Sequence, residues 1–196
     1  MSGSRTPFVR AFSEFMRLDA IALSVAATRE LIARTSLDAK EIDGIVWGGV
    51  LLPTFAPNIA REIALDLALP ETVEGMTCTR ACASGLQAVT LAVAAIERGE
   101  ADVLIAGGSD STSNAQLGLP QELVHALAPI AFGKAKTPSD YLAVLSQFPP
   151  VSKLIPKKPE IAERTTGEVM GQSAERMAKI HGCLLYTSPS PRDRTR

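Results

Sequence analysis

Cysteine and histidine are scarce in this chain: its 196 residues include three cysteines, Cys78, Cys82 and Cys183, and two histidines. An odd cysteine count without repeated CxxC spacing gives no disulfide framework, and no histidine stands at ligand spacing, so a zinc site is excluded and no metal is expected. Aromatic residues make up only 5% and the formal net charge is −1. No basic stripe interleaves with aromatics, which excludes a nucleic-acid footprint and favours small-molecule chemistry. No window approaches the ~20 uninterrupted apolar residues of a membrane-crossing helix. The start, Met1-Ser-Gly-Ser-Arg-Thr-Pro-Phe8, lacks the basic-then-apolar layout of a signal peptide, so a soluble, cytoplasmic protein is expected.

What is present is an ordinary globular composition, 46% hydrophobic and 21% charged, arranged in alternating periodicities. Residues 18 to 34 place Leu18, Ile21, Ala22, Val25, Ala26 and Ile32 at helical spacing, with Asp19 as the candidate cap. The run Ile45 to Val50 reads as a buried strand, Asn58 to Leu69 as a helix stopped by Pro70, and Val73 to Cys78 as a second strand. A helix follows from Cys82 to Arg98, closed by Gly99, and then a strand from Ala101 to Ala106. Helices alternating with continuous apolar strands predict an α/β fold on a parallel or mixed sheet. The helix after Cys82 carries apolar side chains on every face, so it is expected to be buried all round, in a layer between two sheets.

Beyond Gly118 prolines punctuate short helical pieces, Lys153, Lys157 and Lys158 add basic charge, and a helix is expected over Gly167 to Ile180 with Met170, Ala174, Met177 and Ala178 roughly on one face. The organisation read from this is an amino-terminal domain over residues 1–118, an irregular insertion over 119–182, and a tail over 183–196. That tail has no periodicity, and its run from Cys183 to Asp193 resembles the in-frame translation of a transposon-end sequencing adapter. It is expected to be non-native. Without it the formal charge becomes −3, and two cysteines remain.

Chemistry concentrates at the turn Val73-Glu-Gly-Met-Thr-Cys-Thr-Arg-Ala-Cys-Ala-Ser-Gly85. Cys82 falls at or next to the first residue of the helix, where unpaired backbone N–H groups and the helix dipole favour an anion. Such placement favours the reactive thiolate, and the same N–H groups suit a developing oxyanion on a thioester carbonyl. Ser84 and Gly85 keep the turn small, so a long acyl-thioester has room to approach. Cys78 is expected simply to pack, and His125 and His181 to be surface or packing residues. Gly107-Gly108 is weak evidence for a phosphate loop, because no GxGxxG or GxxxxGK follows.

Cys82-Ala-Ser-Gly-Leu-Gln-Ala88 followed by Ala106-Gly-Gly-Ser-Asp-Ser-Thr-Ser113 resembles the signature pair of the thiolase family. Arg5-Thr-Pro-Phe8, Ile42-Asp43, Pro57-Asn-Ile-Ala-Arg61 and Met170-Gly-Gln-Ser-Ala-Glu175 fall in family order, so the resemblance covers residues 5 to 182. The run from Pro57 to Glu62, the Arg80-Ala-Cys82 turn and the proline-rich passage from Leu154 to Gly171 are similar to the thiolase subunit of the fatty-acid β-oxidation complex. Short-chain acetyl-CoA acetyltransferases are the second match. Decarboxylating ketosynthases share the fold and the cysteine, but the CASGLQA turn and the long insertion favour thiolase. A non-catalytic interaction module is the reading of a different class.

The resemblance implies a layered αβαβα fold, of which this chain is expected to hold the amino-terminal half without its first strand, and part of the inserted loop domain. It implies that Cys82 attacks the 3-keto carbon of a 3-ketoacyl-CoA, that acetyl-CoA leaves, and that coenzyme A as co-substrate takes the acyl group, with no bound cofactor. Met170 matches a methionine near the acyl-pantetheine tunnel, while Val169 stands where short-chain members often have histidine. The family's catalytic histidine and second cysteine belong to the carboxyl-terminal half, so the fragment alone is expected to be inactive. The implied partners are acyl-CoA substrates, further copies of the same chain in a homodimer or homotetramer, and a β-oxidation multienzyme subunit.

Overall fold

The computed structural model describes residues 1–116, 118–146, 148–150, 153–154 and 162–184. The chain divides into two compact units, Met1–Gln116 and Leu117–Arg196. The first is built on a parallel three-stranded sheet of order β2-β1-β3, with β1 at Gly44–Gly48, β2 at Glu74–Cys78 and β3 at Leu104–Gly108. The central strand β1 is buried along its whole length. In register, Ile45 stands beside Gly75 and Ile105, and Trp47 beside Thr77 and Gly107.

Because successive strand residues point to opposite faces, β1 feeds two cores. Ile45 and Trp47 join Ile59, Ala60 and Ile63 of helix α2 (Ile59–Asp66) and Ala20 and Val25 of helix α1 (Ala20–Thr35) on one face. Val46 packs with Ala88 and Ala92 of helix α3 (Ser84–Glu97) on the other. Helices α1 and α2 start where a side chain reaches their free N–H groups. The Asp19 carboxylate accepts from Ala22 N–H at 2.8 Å, and the Asn58 amide oxygen accepts from Arg61 N–H at 3.3 Å.

Two sequence expectations are corrected. The third strand starts at Leu104 rather than Ala101, because the N–H groups of Asp102 and Val103 donate to the Asp43 carboxylate at 2.7 and 2.8 Å. Helix α3 is not buried all round: Ser84, Ala88 and Ala92 are buried, but Leu86 is 72% exposed, and Val89, Val93 and Ile96 are exposed as well. Its apolar composition suits two covering layers, and the first unit supplies one sheet.

The second unit contains α4 (Gln121–Ala131), α5 (Pro138–Ser146) and α6 (Met170–Ile180). The last begins later than the expected Gly167, because Gly167 turns through a positive φ of 72° and Val169 is extended. Glu168 pairs with Arg176 at 2.8 Å, beside the helix start. Lys157, Lys158 and the adapter-like tail from residue 185 onward lie outside the described residues. No helix among the described residues is long and apolar enough to cross a membrane.

Asp43 joins the three strands at their entrance: its carbonyl accepts from Glu74 N–H, its N–H donates to the Val103 carbonyl, and its carboxylate takes the two N–H groups ahead of β3. The backbone donors of Val103 and Asp102 hold this carboxyl below the ordinary carboxylate range. A lowered folded-state pKa means stabilisation that is present above about pH 4 and lost as pH falls through the folded value. Asp43→Asn should therefore lower the urea midpoint of the 196-residue chain at pH 7, with the gap to wild type narrowing below about pH 4. Urea titrations at both pH values check this.

Candidate active site at the start of helix α3

The carboxyl ends of β1, β2 and β3 and the first turn of α3 converge on one place. A Cβ added at Gly48 would overlap the carbonyl of Ser84 and lie 2.7 Å from the backbone nitrogen of Gly85. A Cβ at Gly108 would lie 2.8 Å from the Gly48 carbonyl oxygen and 3.3 Å from Gly85 Cα. Helix α3 thus begins in direct backbone contact with the strand ends, an approach that side chains at 48 and 108 would prevent. Gly107 has a different task. Its cross-strand partner is Trp47, whose ring would stand 2.5 Å from a Cβ there.

Cys82 is exposed and lies between β2 and α3, one residue ahead of the cap residue Ala83 and two ahead of Ser84, where the helix starts. That is slightly upstream of the helix's first residue. No side chain caps this helix end. The turn is fixed by backbone bonds from Ala83 N–H to the Arg80 carbonyl and from Ser84 N–H to the Ala81 carbonyl, both 3.1 Å. Arg80 itself donates from Nη1 to Gln87 Oε1 at 2.6 Å, across the first turn of the helix.

Cys82 opens onto a cleft of about 750 Å³, within the size range of small-molecule sites. Ser84, Gly85, Gly48, Gly108, Trp47 and the arm from Ser2 to Ala11 line it together with the cysteine. The sulfur is therefore neither in mid-strand nor sealed in. Cys78 does pack: it is half-buried against the α3-side core, with its thiol 3.8 Å from the Ser84 carbonyl oxygen.

The polar run after Gly108, Ser109-Asp110-Ser111, holds chain together rather than a phosphate. The Ser109 hydroxyl accepts from Trp47 Nε1–H at 3.1 Å and lies 2.6 Å from Ser24 Oγ and 3.0 Å from the Ala20 carbonyl, which ties α1 to β1 and β3. The Asp110 carboxylate accepts from Val50 and Leu51 N–H at 2.8 and 2.6 Å. Ser111 and Asn114 donate to the Leu18 carbonyl. Sequence reasoning missed these roles, because a hydroxyl whose partner stands tens of residues away leaves no local pattern. One buried hydroxyl on the cleft wall, Thr28 Oγ1, has no hydrogen-bond partner among the described residues.

The remaining sequence candidates lie in the second unit. Met170 opens α6 and is half exposed, and Val169 precedes it as the cap residue, its N–H donating to Gln172 Oε1 at 3.0 Å. His125 is exposed and bonded to Gln121, and His181 is exposed at the end of α6. No cluster of His, Cys, Asp and Glu suited to a metal ion occurs among the described residues.

Residues 1–183 match the family described as the amino-terminal domain of thiolase. A 3-ketoacyl-CoA thiolase of Vibrio cholerae is 40% identical over 181 residues, covering 92% of this chain and 41% of its own length. One from Shewanella amazonensis is 37% identical over 182 residues, 93% of this chain and 41% of that protein. The chain thus spans less than half the length of these relatives. Among solved structures, the Acat5 thiolase of Ascaris suum in complex with coenzyme A superposes with a TM-score of 0.72 at 26% identity, over 92% of this chain and 42% of that one. The acetyl-CoA acetyltransferase of Bacillus anthracis has a TM-score of 0.71 at 23% identity, over 93% and 41%, a likeness of fold.

The backbone contact at Gly48 makes a clean test. Gly48→Ala should destabilise the chain by about 1–3 kcal/mol, since two backbones would have to separate. Gly85→Ala, whose Cβ would meet open space, should change stability by less than about 1 kcal/mol. Urea unfolding of the two variants beside wild type measures the difference.

Proposed function

Because this chain belongs to the thiolase family, we propose that it carries the nucleophilic half of an acyl-CoA C-acyltransferase, a 3-ketoacyl-CoA thiolase whose acyl group passes through Cys82. The observation that carries this reading is the exposed Cys82 lining the cleft, directly before an uncapped helix start. The sulfur attacks the 3-keto carbon, the bond between C2 and C3 breaks, and acetyl-CoA departs as its enolate, which then takes up a proton. The thiol of a second coenzyme A displaces the acyl group from Cys82, which divides one difficult step into two. First-turn N–H groups of α3, which no side chain occupies, supply donors for the oxyanion.

The 3-ketoacyl-CoA thiolases at 37–40% identity favour this activity over that of a short-chain acetyl-CoA acetyltransferase, and their names support a role in fatty-acid β-oxidation. Coenzyme A is the co-substrate, a role supported by its presence in the Ascaris suum thiolase. Residues 1–118 form the nucleophile-bearing half-domain, 119–182 part of the loop domain with Met170 near the acyl-pantetheine path, and 183–196 a non-native tail. The apolar outer face of α3 seats the carboxyl-terminal half, which brings the family's histidine and second cysteine. The whole enzyme works in the cytoplasm as a homodimer or homotetramer, with a β-oxidation multienzyme subunit as partner.

Incubation of the gene product completed downstream of Gly182 with a 3-ketoacyl-CoA should load an acyl group on Cys82, seen by peptide mass spectrometry, and Cys82→Ala should abolish it. The 196-residue chain alone should show no CoA-dependent cleavage of acetoacetyl-CoA or of a long-chain 3-ketoacyl-CoA. An unlabelled Cys82 in an active enzyme overturns the nucleophile assignment. Robust cleavage by the short chain overturns the division of labour between halves.

A further inference from the structure

Ser84 does something unusual for the first residue of a helix. Only 3% of it is exposed, and its hydroxyl turns back towards the preceding turn. Oγ donates to the Ala81 carbonyl at 2.6 Å and accepts from the Arg80 N–H at 2.8 Å. The Ser84 N–H also donates to the Ala81 carbonyl, at 3.1 Å. Ser84 thus grips both residues that lead into Cys82, and binds Ala81 twice.

Ala81 requires such a grip. Its φ is 47°, in the left-handed region that L-residues with a Cβ seldom occupy. A conformation of that kind persists only where the surroundings over-determine it. Here two backbone bonds, from Ala83 N–H to the Arg80 carbonyl and from Ser84 N–H to the Ala81 carbonyl, are joined by the Ser84 hydroxyl, and the place of Ser84 is itself fixed: its carbonyl lies against Gly48 and beside the Cys78 thiol, 3.8 Å away. The chain direction at Ala81 sets where the next residue's Cβ points, and that residue is Cys82.

We infer that Ser84 is the positioning residue for Cys82: by holding Ala81 left-handed it aims the cysteine side chain into the cleft. The purpose assigned to it rests on Cys82 being the nucleophile. The geometry calls for a hydroxyl in particular, because an alanine would leave the Arg80 N–H without its partner and remove one of the two bonds on Ala81. Threonine keeps both bonds. Glycine at position 81 reaches a positive φ without the steric penalty.

The test uses the 196-residue chain as wild type, Ser84→Ala, Ser84→Thr and the double variant Ser84→Ala/Ala81→Gly. Iodoacetamide labelling is followed at each cysteine by peptide mass spectrometry, with exposed Cys183 as the internal reference and half-buried Cys78 as the reporter of an intact turn. Ser84→Ala should slow Cys82 relative to Cys183 by about tenfold, the scale expected of a misdirected reacting group, while Cys78 stays protected. Ser84→Thr should restore most of the rate, and the double variant part of it. An unchanged Cys82 rate in Ser84→Ala overturns the positioning role. So does Cys78 labelling as fast as Cys82, because the serine would then merely hold the fold together. Acyl transfer from S-acetyl-N-acetylcysteamine to Cys82 is measured separately in the gene product completed downstream of Gly182, and its absence there overturns the nucleophile reading whatever the alkylation rates.

Discussion

Everything at the candidate site depends on two backbones touching. The first turn of α3 lies against the ends of β1 and β3 with no side chain between them, because positions 48 and 108 are glycine. A helix resting on side chains would stand several ångströms further out, and the turn that carries Cys82 would stand out with it. The contact also explains why a small, buried Ser84 opens the helix. A side chain there without a hydroxyl would give the turn nothing to bind.

The same economy of space runs across the sheet. Trp47 is the largest side chain of β1 and needs a bare partner, which Gly107 provides in register. Its indole N–H then needs an acceptor, which the Ser109 hydroxyl provides two residues later. Because Ser109 also reaches Ser24 and the Ala20 carbonyl, α1 is fixed to the sheet by polar bonds as well as by Val25 and Ala20 in the core. A buried indole N–H left unpaired costs about 1–3 kcal/mol, so the glycine and the serine act as one device.

Much of this was legible in the amino-acid order. Asp19 marked the start of α1, and Asn58 stood at the head of α2. The apolar runs located β1 and β2 nearly to the residue, and the family likeness read at Cys82 is matched by the relatives found. The readings that failed share a cause. Ala101 looked like strand because it leads into the apolar run from Val103 to Ala106, yet β3 starts only after Asp43, nearly sixty residues earlier, has taken the N–H groups of Asp102 and Val103. Helix α3 looked fully enclosed because composition records what a surface suits, not what covers it.

The exposed face of α3 and the site on its first turn bear on one another. Leu86, Val89, Val93 and Ile96 together present an apolar stripe that free water disfavours, while Ala88 and Ala92 are held against Val46. A helix anchored on one side only, through Ala88, Ala92, Leu91 and a glycine contact, has its outer face free, and a slide along its own axis is resisted from that one side. The turn ahead of it would move with any such slide. The hydrogen bonds of Ser84 and the Arg80–Gln87 bond act at the end where sliding would matter most, on both sides of Cys82. The geometry of the thiol is thereby tied to the turn itself, and not to whatever covers the outer face.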